Sequence, residues 1–141
     1  MLVREVMNKN VVTAEPDITV KEAARMMSQF HIGSLVILKD KKIVGIVTER
    51  NVLVAVAQGK DAELTTVEDI MTKNVITIEP GKTIEQAVDI MSKNKIKKMP
   101  VVDGDKLIGI ITSSDIIVVE PSLIEEIAKL VSVNITGYRG G

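Results

Sequence analysis

The residues best suited to chemistry lie in two short runs, GIVTERN (Gly45 to Asn51) and GIITSSD (Gly109 to Asp115). Each closes an apolar stretch with a threonine, Thr48 or Thr112, and sets a short oxygen-bearing side chain three positions on, Asn51 or Asp115. A threonine in that place can cap a following helix by accepting from its first turn. A helix N-terminus offers unpaired N–H groups and a partial positive charge, which suit phosphate. A carboxylate one turn along can accept from two vicinal hydroxyls, a common way of holding ribose. A glycine inside an apolar strand lets something approach the backbone closely. These parts make a coherent nucleoside site, although the same residue types also serve as ordinary strand-to-helix caps. Asn51 keeps one acceptor but lacks the charge and the second acceptor of an aspartate. Charge-assisted hydrogen bonds are roughly twice as strong as neutral ones, so the Asp115 turn is expected to be the better of the two.

Other reactive side chains are sparse. KNKIKK (Lys93 to Lys98) reads either as a phosphate-facing patch or as a solvated helix end, where cations favour the C-terminal dipole. Arg50 can serve as a ligand or dimer contact, or as a plain surface arginine. His31 is the only histidine and there is no cysteine, so no zinc site is expected. Asp103 and Asp105 are close but belong to a turn. No nucleophile with a base and no paired-carboxylate site is legible. The chain therefore reads as a non-enzyme, without metal or cofactor.

Composition narrows the class. The chain is 45% hydrophobic and 26% charged with a formal net charge of -1, too apolar to be disordered. The near-neutral balance and the presence of only Phe30 and Tyr138 as aromatics argue against nucleic-acid binding by stacking. No apolar run approaches the ~18 residues of a membrane span. The start lacks a signal-peptide core, so a cytoplasmic location is expected.

The elements that must position the two turns come from a duplication. Shifted by 64 residues, Val3–Leu53 overlies Val67–Ile117 without a gap, with 17 of 51 positions identical. Each copy opens with a short apolar piece and a brief β-branched strand stopped by Glu-Pro. A helix follows, opened by TVKE (Thr19–Glu22) or TIEQ (Thr83–Gln86), both of capping-box form. Val20, Ala23, Ala24, Met27 and Ile84, Ala87, Val88, Met91 keep the helical stripe. A hairpin of two apolar strands comes next, turning at Lys39–Lys42 and at Asp103–Asp105, where Gly104 supplies a positive φ. A last helix starts at the Thr turn. The fold class is α+β with α/β-type packing, built of two β-α-β-β-α units. The expected boundaries are 2–58, a linker 59–66, 67–118, a C-terminal helix 119–133 and a tail 134–141. Ser122 and Glu125 have capping-box spacing for that third helix.

The residues VMNKNVVTAEPDITVKEAARMM with IVGIVTERN, and IMTKNVITIEPGKTIEQAVDIM with MPVVDGDKLIGIITSSD, resemble the CBS domain, named after cystathionine β-synthase. The chain as a whole resembles a stand-alone tandem CBS pair over about residues 2 to 118. The resemblance implies pseudo-two-fold symmetry and two clefts between the copies. In the family these hold adenosine ligands such as AMP, ADP, ATP, S-adenosylmethionine or NAD(H), and the pairs often form disc-shaped homodimers that regulate rather than catalyse.

Carried over by resemblance, one site uses Ile110, Thr112 and Asp115 with Val12, Thr13 and Ala14 lining adenine and Gly33 and Ser34 close by. Lys97 and Lys98 match positions that bear basic phosphate contacts in a member of the family. A second, weaker site uses Ile46, Thr48 and Asn51 with Ile76, Thr77 and Ile78. The family usually has Asp where this chain has Asn51. The expected function is a regulatory module that senses an adenine nucleotide, AMP first and ADP or ATP next, acting as a homodimer on an effector protein. The alternatives are an interaction scaffold with vestigial clefts, or a sensor of S-adenosylmethionine, NAD(H) or a nucleic acid.

Overall fold

The computed structural model describes residues 1–128 and residue 130. In chain order the elements are α1 (Val3–Val6), β1 (Thr13–Ala14), α2 (Val20–Phe30), β2 (Ser34–Lys39), β3 (Lys42–Thr48), α3 (Glu49–Ala57), α4 (Ile84–Asn94), β4 (Lys98–Asp103), β5 (Lys106–Thr112) and α5 (Ser113–Val119), with single 3-10 turns at Val67–Asp69 and Pro121–Leu123. Among the described residues, no helix is long and apolar enough to cross a membrane.

The chain folds as two compact units. One is Val11–Val75; the other joins Met1–Asn10 to the chain from Ile76 onward. Repeat and unit therefore differ at one place. The opening segment of each repeat, Met1–Asn10 or Val67–Val75, packs with the body of the other repeat. These segments are called straps below.

In the Val11–Val75 unit the sheet order is β1-β2-β3, with β1 parallel and β3 antiparallel to β2. Ala23 and Met27 of α2 cover Leu35, Ile37 and Val47 of the sheet, and Val67 of the strap completes this core. Thr19 caps α2 by accepting from Glu22 N–H at 3.1 Å, but the Glu22 carboxylate does not return the bond to the Thr19 backbone. The box forms on one side only. The hairpin turns on Asp40 and Lys41, both at positive φ without a glycine. Residues 59–66 are tied down: Val20 N–H donates to Thr65 O at 2.8 Å and Lys21 pairs with Glu63 at 2.9 Å.

In the other unit β4 and β5 form a two-stranded antiparallel sheet. Ile84, Ala87, Val88 and Met91 of α4 are all buried, as the stripe requires, against Met99, Val101, Ile111, Ile116 and the strap's Val3. Here the capping box is complete between Thr83 and Gln86. The expected strand before α4 shrinks to a single parallel bridge, Ile78 with Val101. The cause is one residue. In the first copy Val36 N–H donates to Val12 O at 3.2 Å; its counterpart Pro100 has no N–H to give.

After α5, Pro121 opens a 3-10 turn that passes into helix over 124–128. The Ser122 hydroxyl bonds the Glu120 carboxylate at 2.6 Å, so the Ser122–Glu125 capping box does not form. The expected end of the C-terminal helix beyond 130 and the tail 134–141 lie outside the described residues.

Candidate functional site

Each Thr turn is built from its own hairpin. At the second, Thr112 ends β5 in extended geometry and its Oγ1 accepts from Asp115 N–H at 3.1 Å. Thr112 stands opposite Lys98 across the ladder, and Ser113 N–H donates to Lys97 O at 2.8 Å. These bonds fix the start of α5 beside the first residues of β4. Ile110, Thr112, Asp115, Lys97 and Lys98 are thereby brought to one edge of one unit. Asp115 is half-buried, and among the described residues its carboxylate accepts no hydrogen bond and joins no ion pair.

The first turn has the same backbone and a different side-chain outcome. Thr48 Oγ1 accepts from Asn51 N–H at 3.2 Å, while Asn51 Oδ1 accepts from both the Thr48 N–H at 2.9 Å and its hydroxyl at 3.0 Å. Ser34 stands opposite Thr48, and Glu49 N–H donates to Gly33 O at 3.1 Å. Thr13 and Ala14 pair with Val36 and Ile37, and Ile46 lies opposite Val36. Val12, Thr13, Ala14, Gly33, Ser34, Ile46, Thr48 and Asn51 thus all belong to the Val11–Val75 unit. Ile76, Thr77 and Ile78 belong to the other. Each expected site draws residues from both units, and in the Val11–Val75 unit Thr13, Ala14, Ser34, Ile46 and Thr48 share one sheet. Ile78 is 4% exposed and packs in its unit's apolar core, while Thr77 lines a hollow of 630 Å³ with Glu79, Lys82 and Asp103.

The KNKIKK run divides by role. Lys93 pairs with Asp89 one helical turn earlier at 3.0 Å, both side chains exposed, a pair of small energetic weight. Lys95 is the left-handed cap of α4 at φ 54°. Lys97 is exposed and Lys98 half-buried. His31 repeats the Lys95 role at the end of α2, also at φ 54°, with its N–H donating to Met27 O and Ser28 O. Nothing in the sequence marked either residue as a cap, since glycine or asparagine usually fills that place. Arg50 lines a hollow of 230 Å³ with Asn51, Gln58, Lys60 and Asp69.

The two strand glycines have an occupant, and it is a methionine. A Cβ on Gly109 would lie 2.6 Å from Met7 Sδ and 3.1 Å from Asn8 O. A Cβ on Gly45 would strike Met71 Sδ and stand 2.7 Å from its Cγ. Backbone bonds seal the contact: Asn8 N–H to Ile110 O at 2.8 Å and Ile110 N–H to Asn8 O at 3.0 Å, matched by Ile46 with Thr72 at 3.0 and 2.9 Å. The close approach inferred at the glycines is that of each unit's strap. Among the described residues, no three His, Cys, Asp or Glu side chains gather as a metal site would need.

The family model described as the CBS domain matches the chain twice, over residues 3–58 and 67–121. An uncharacterized protein of Methanopyrus kandleri is 41% identical over 130 residues, covering 90% of this chain and 66% of its own length. The CBS domain-containing protein YhcV of Bacillus subtilis is 31% identical, covering 82% of this chain and 83% of its own. Inosine-5'-monophosphate dehydrogenase of Nitrosopumilus maritimus is 40% identical, but this chain spans only 22% of it. Among solved structures, the CBS domain pair of protein MJ0100 in complex with 5'-methylthioadenosine and S-adenosyl-L-methionine superposes with a TM-score of 0.76 at 37% identity, covering 82% of this chain and 92% of that one.

Proposed function

This chain belongs to the CBS-domain family as a tandem pair, and from that premise we propose that it is a regulatory module that binds an adenosine-containing ligand, AMP in the first instance, without catalysing a reaction on it. The observation that carries the reading is the Asp115 carboxylate, half-buried at a Thr-capped turn and not engaged by any described side chain. In this reading it accepts from the two ribose hydroxyls. Lys97, whose carbonyl anchors the same turn, supplies charge for a phosphate. That a 37% identical pair was solved with 5'-methylthioadenosine and S-adenosyl-L-methionine supports the adenosine class; the phosphate preference rests on the lysine.

The same reading includes a homodimer in the cytoplasm that passes ligand state to an effector protein by a shift in population. Support for the dimer lies on α3 and α5, which occupy matching places in the two repeats. Leu53 is 68% and Val118 is 79% exposed, with Val54, Val56 and Val119 also open. Apolar side chains displayed at equivalent places suit a self-complementary contact between two copies.

Thermal denaturation with AMP, ADP, ATP, 5'-methylthioadenosine, S-adenosylmethionine and NADH tests the ligand. At a concentration about 100 times its dissociation constant a ligand adds about 2.7 kcal/mol, a rise of a few degrees for a chain of this size. Stabilisation by AMP that is lost in Asp115→Ala is the expected result. No shift with any of them at millimolar concentration overturns the proposal and leaves an interaction scaffold. A shift with S-adenosylmethionine alone overturns AMP as the ligand.

A further inference from the structure

The strap behaves in the structure like a bound peptide. Its backbone pairs with its groove at both ends: Val3 N–H to Lys82 O at 2.8 Å, Arg4 N–H to Pro80 O at 3.1 Å, Ile84 N–H to Met1 O at 3.1 Å, and the double bond pair between Asn8 and Ile110. Two side chains carry the apolar contact. Val3 is fully buried, and Met7 fills the notch over Gly109. Arg4 and Glu5 between them are exposed. Recognition therefore rests on a valine and a methionine four positions apart, followed by a residue that bridges the strand edge. The second strap repeats the pattern. Val67 is fully buried, Met71 fills the notch over Gly45, and Thr72 bridges Ile46.

Chain order leaves the choice of occupant open. The residue after the strap, Val11, already belongs to the other unit, so no covalent neighbour within the Ile76-onward unit holds the strap in its groove. Main-chain pairing at a strand edge with side chains in pockets is a general way of recognising a peptide. Exchange of an identical element between two copies conserves every contact.

We propose that the groove formed by Ile84, Gly109 and Ile110 is a strap-recognition site that accepts the strap of a second copy of this chain in place of its own. The tether keeps the chain's own strap at a high effective concentration, so the exchanged form grows with protein concentration. The wild-type chain has no cysteine, which makes a directed cross-link clean. Asn8 and Ile110 are a hydrogen-bonded antiparallel pair, whose Cα atoms lie about 5.5 Å apart, within disulfide reach.

One full-length chain carries Asn8→Cys and another carries Ile110→Cys; they are mixed at rising concentration with oxidised glutathione as the oxidant. The double variant Asn8→Cys with Ile110→Cys in one chain serves as the geometric control and closes internally. The expected result is a disulfide-linked dimer in the mixed pool, several-fold above either variant alone and increasing with concentration. Adding Met7→Ala to the Asn8→Cys chain, or an excess of the synthetic peptide MLVREVMNKN, lowers its yield. Internal closure of the double variant with no excess dimer in the mixture overturns the proposal. So does a dimer that ignores both Met7→Ala and the peptide, or a double variant that does not close.

Discussion

The Asn51 side-chain oxygen accepts from both the backbone N–H and the hydroxyl of Thr48, at 2.9 and 3.0 Å. At the matching place Asp115 contributes only its backbone N–H to Thr112. The same fold position thus carries two different duties. In one copy the side chain locks the helix start; in the other the carboxylate is engaged by no described side chain.

Stability and binding should separate along this line. Asn51→Ala removes a reciprocal cap and is expected to cost about 1 kcal/mol. Asp115→Ala loses only its favourable place at the helix N-terminus, about 0.5 kcal/mol. Urea denaturation measures both. Calorimetry with AMP should give the reverse order, with Asp115→Ala abolishing the tighter event. An Asn51→Ala variant that abolishes it instead would assign the stronger site to the wrong turn.

Lys97 should distinguish ligands by their phosphate. An exposed ion pair contributes about 0.2–1 kcal/mol, so Lys97→Ala is expected to weaken AMP by a small factor and to leave 5'-methylthioadenosine unchanged. Isothermal titration with the two ligands side by side makes the comparison. An equal loss for both would point to a structural effect at the Ser113–Lys97 bond.

Glycine substitution should be costly and unequally reversible. Overpacking at a tight contact costs roughly 1–3 kcal/mol. The nearest atoms a Gly45→Ala methyl meets are all of the Met71 side chain, so Met71→Ala should recover much of that cost. Gly109→Ala also meets the backbone oxygen of Asn8 at 3.1 Å, so Met7→Ala should recover less. Thermal melts of the two double-mutant cycles decide it.

Leu53→Glu and Val118→Glu place charge on the exposed faces of α3 and α5 without touching either core. The expected outcome is a monomer with unchanged far-ultraviolet circular dichroism. Light scattering after gel filtration reports the mass. A dimer that persists through both changes places the interface elsewhere.

Much of the fold was legible because its signals are local. The stripes of α2 and α4 and the apolar hairpin strands have periods that a single copy displays. The glycine turn at Gly104 announced itself, while the turn on Asp40 and Lys41 needed the hairpin's own geometry to force two left-handed residues. Pro100 was visible, but its effect on the preceding strand depended on knowing that Val36 donates to Val12. The division of the straps was not legible at all, since periodicity says that a segment is apolar and not which copy it covers. For the same reason the glycines revealed a close approach but not Met7 and Met71. At the turns, residue type set Asn51 apart from Asp115 in charge and acceptor count. It did not show that asparagine would close on its own cap.

The straps also change what a break in the chain would mean. Residues 59–66 stand between the two repeats, held by the Val20–Thr65 and Lys21–Glu63 bonds. A nick there would leave one fragment holding Met1–Asn10 inside the second unit and the other holding Val67–Val75 inside the first. Each piece would keep the other's missing part. The peptide bond joining the repeats is therefore the one whose loss would least separate them.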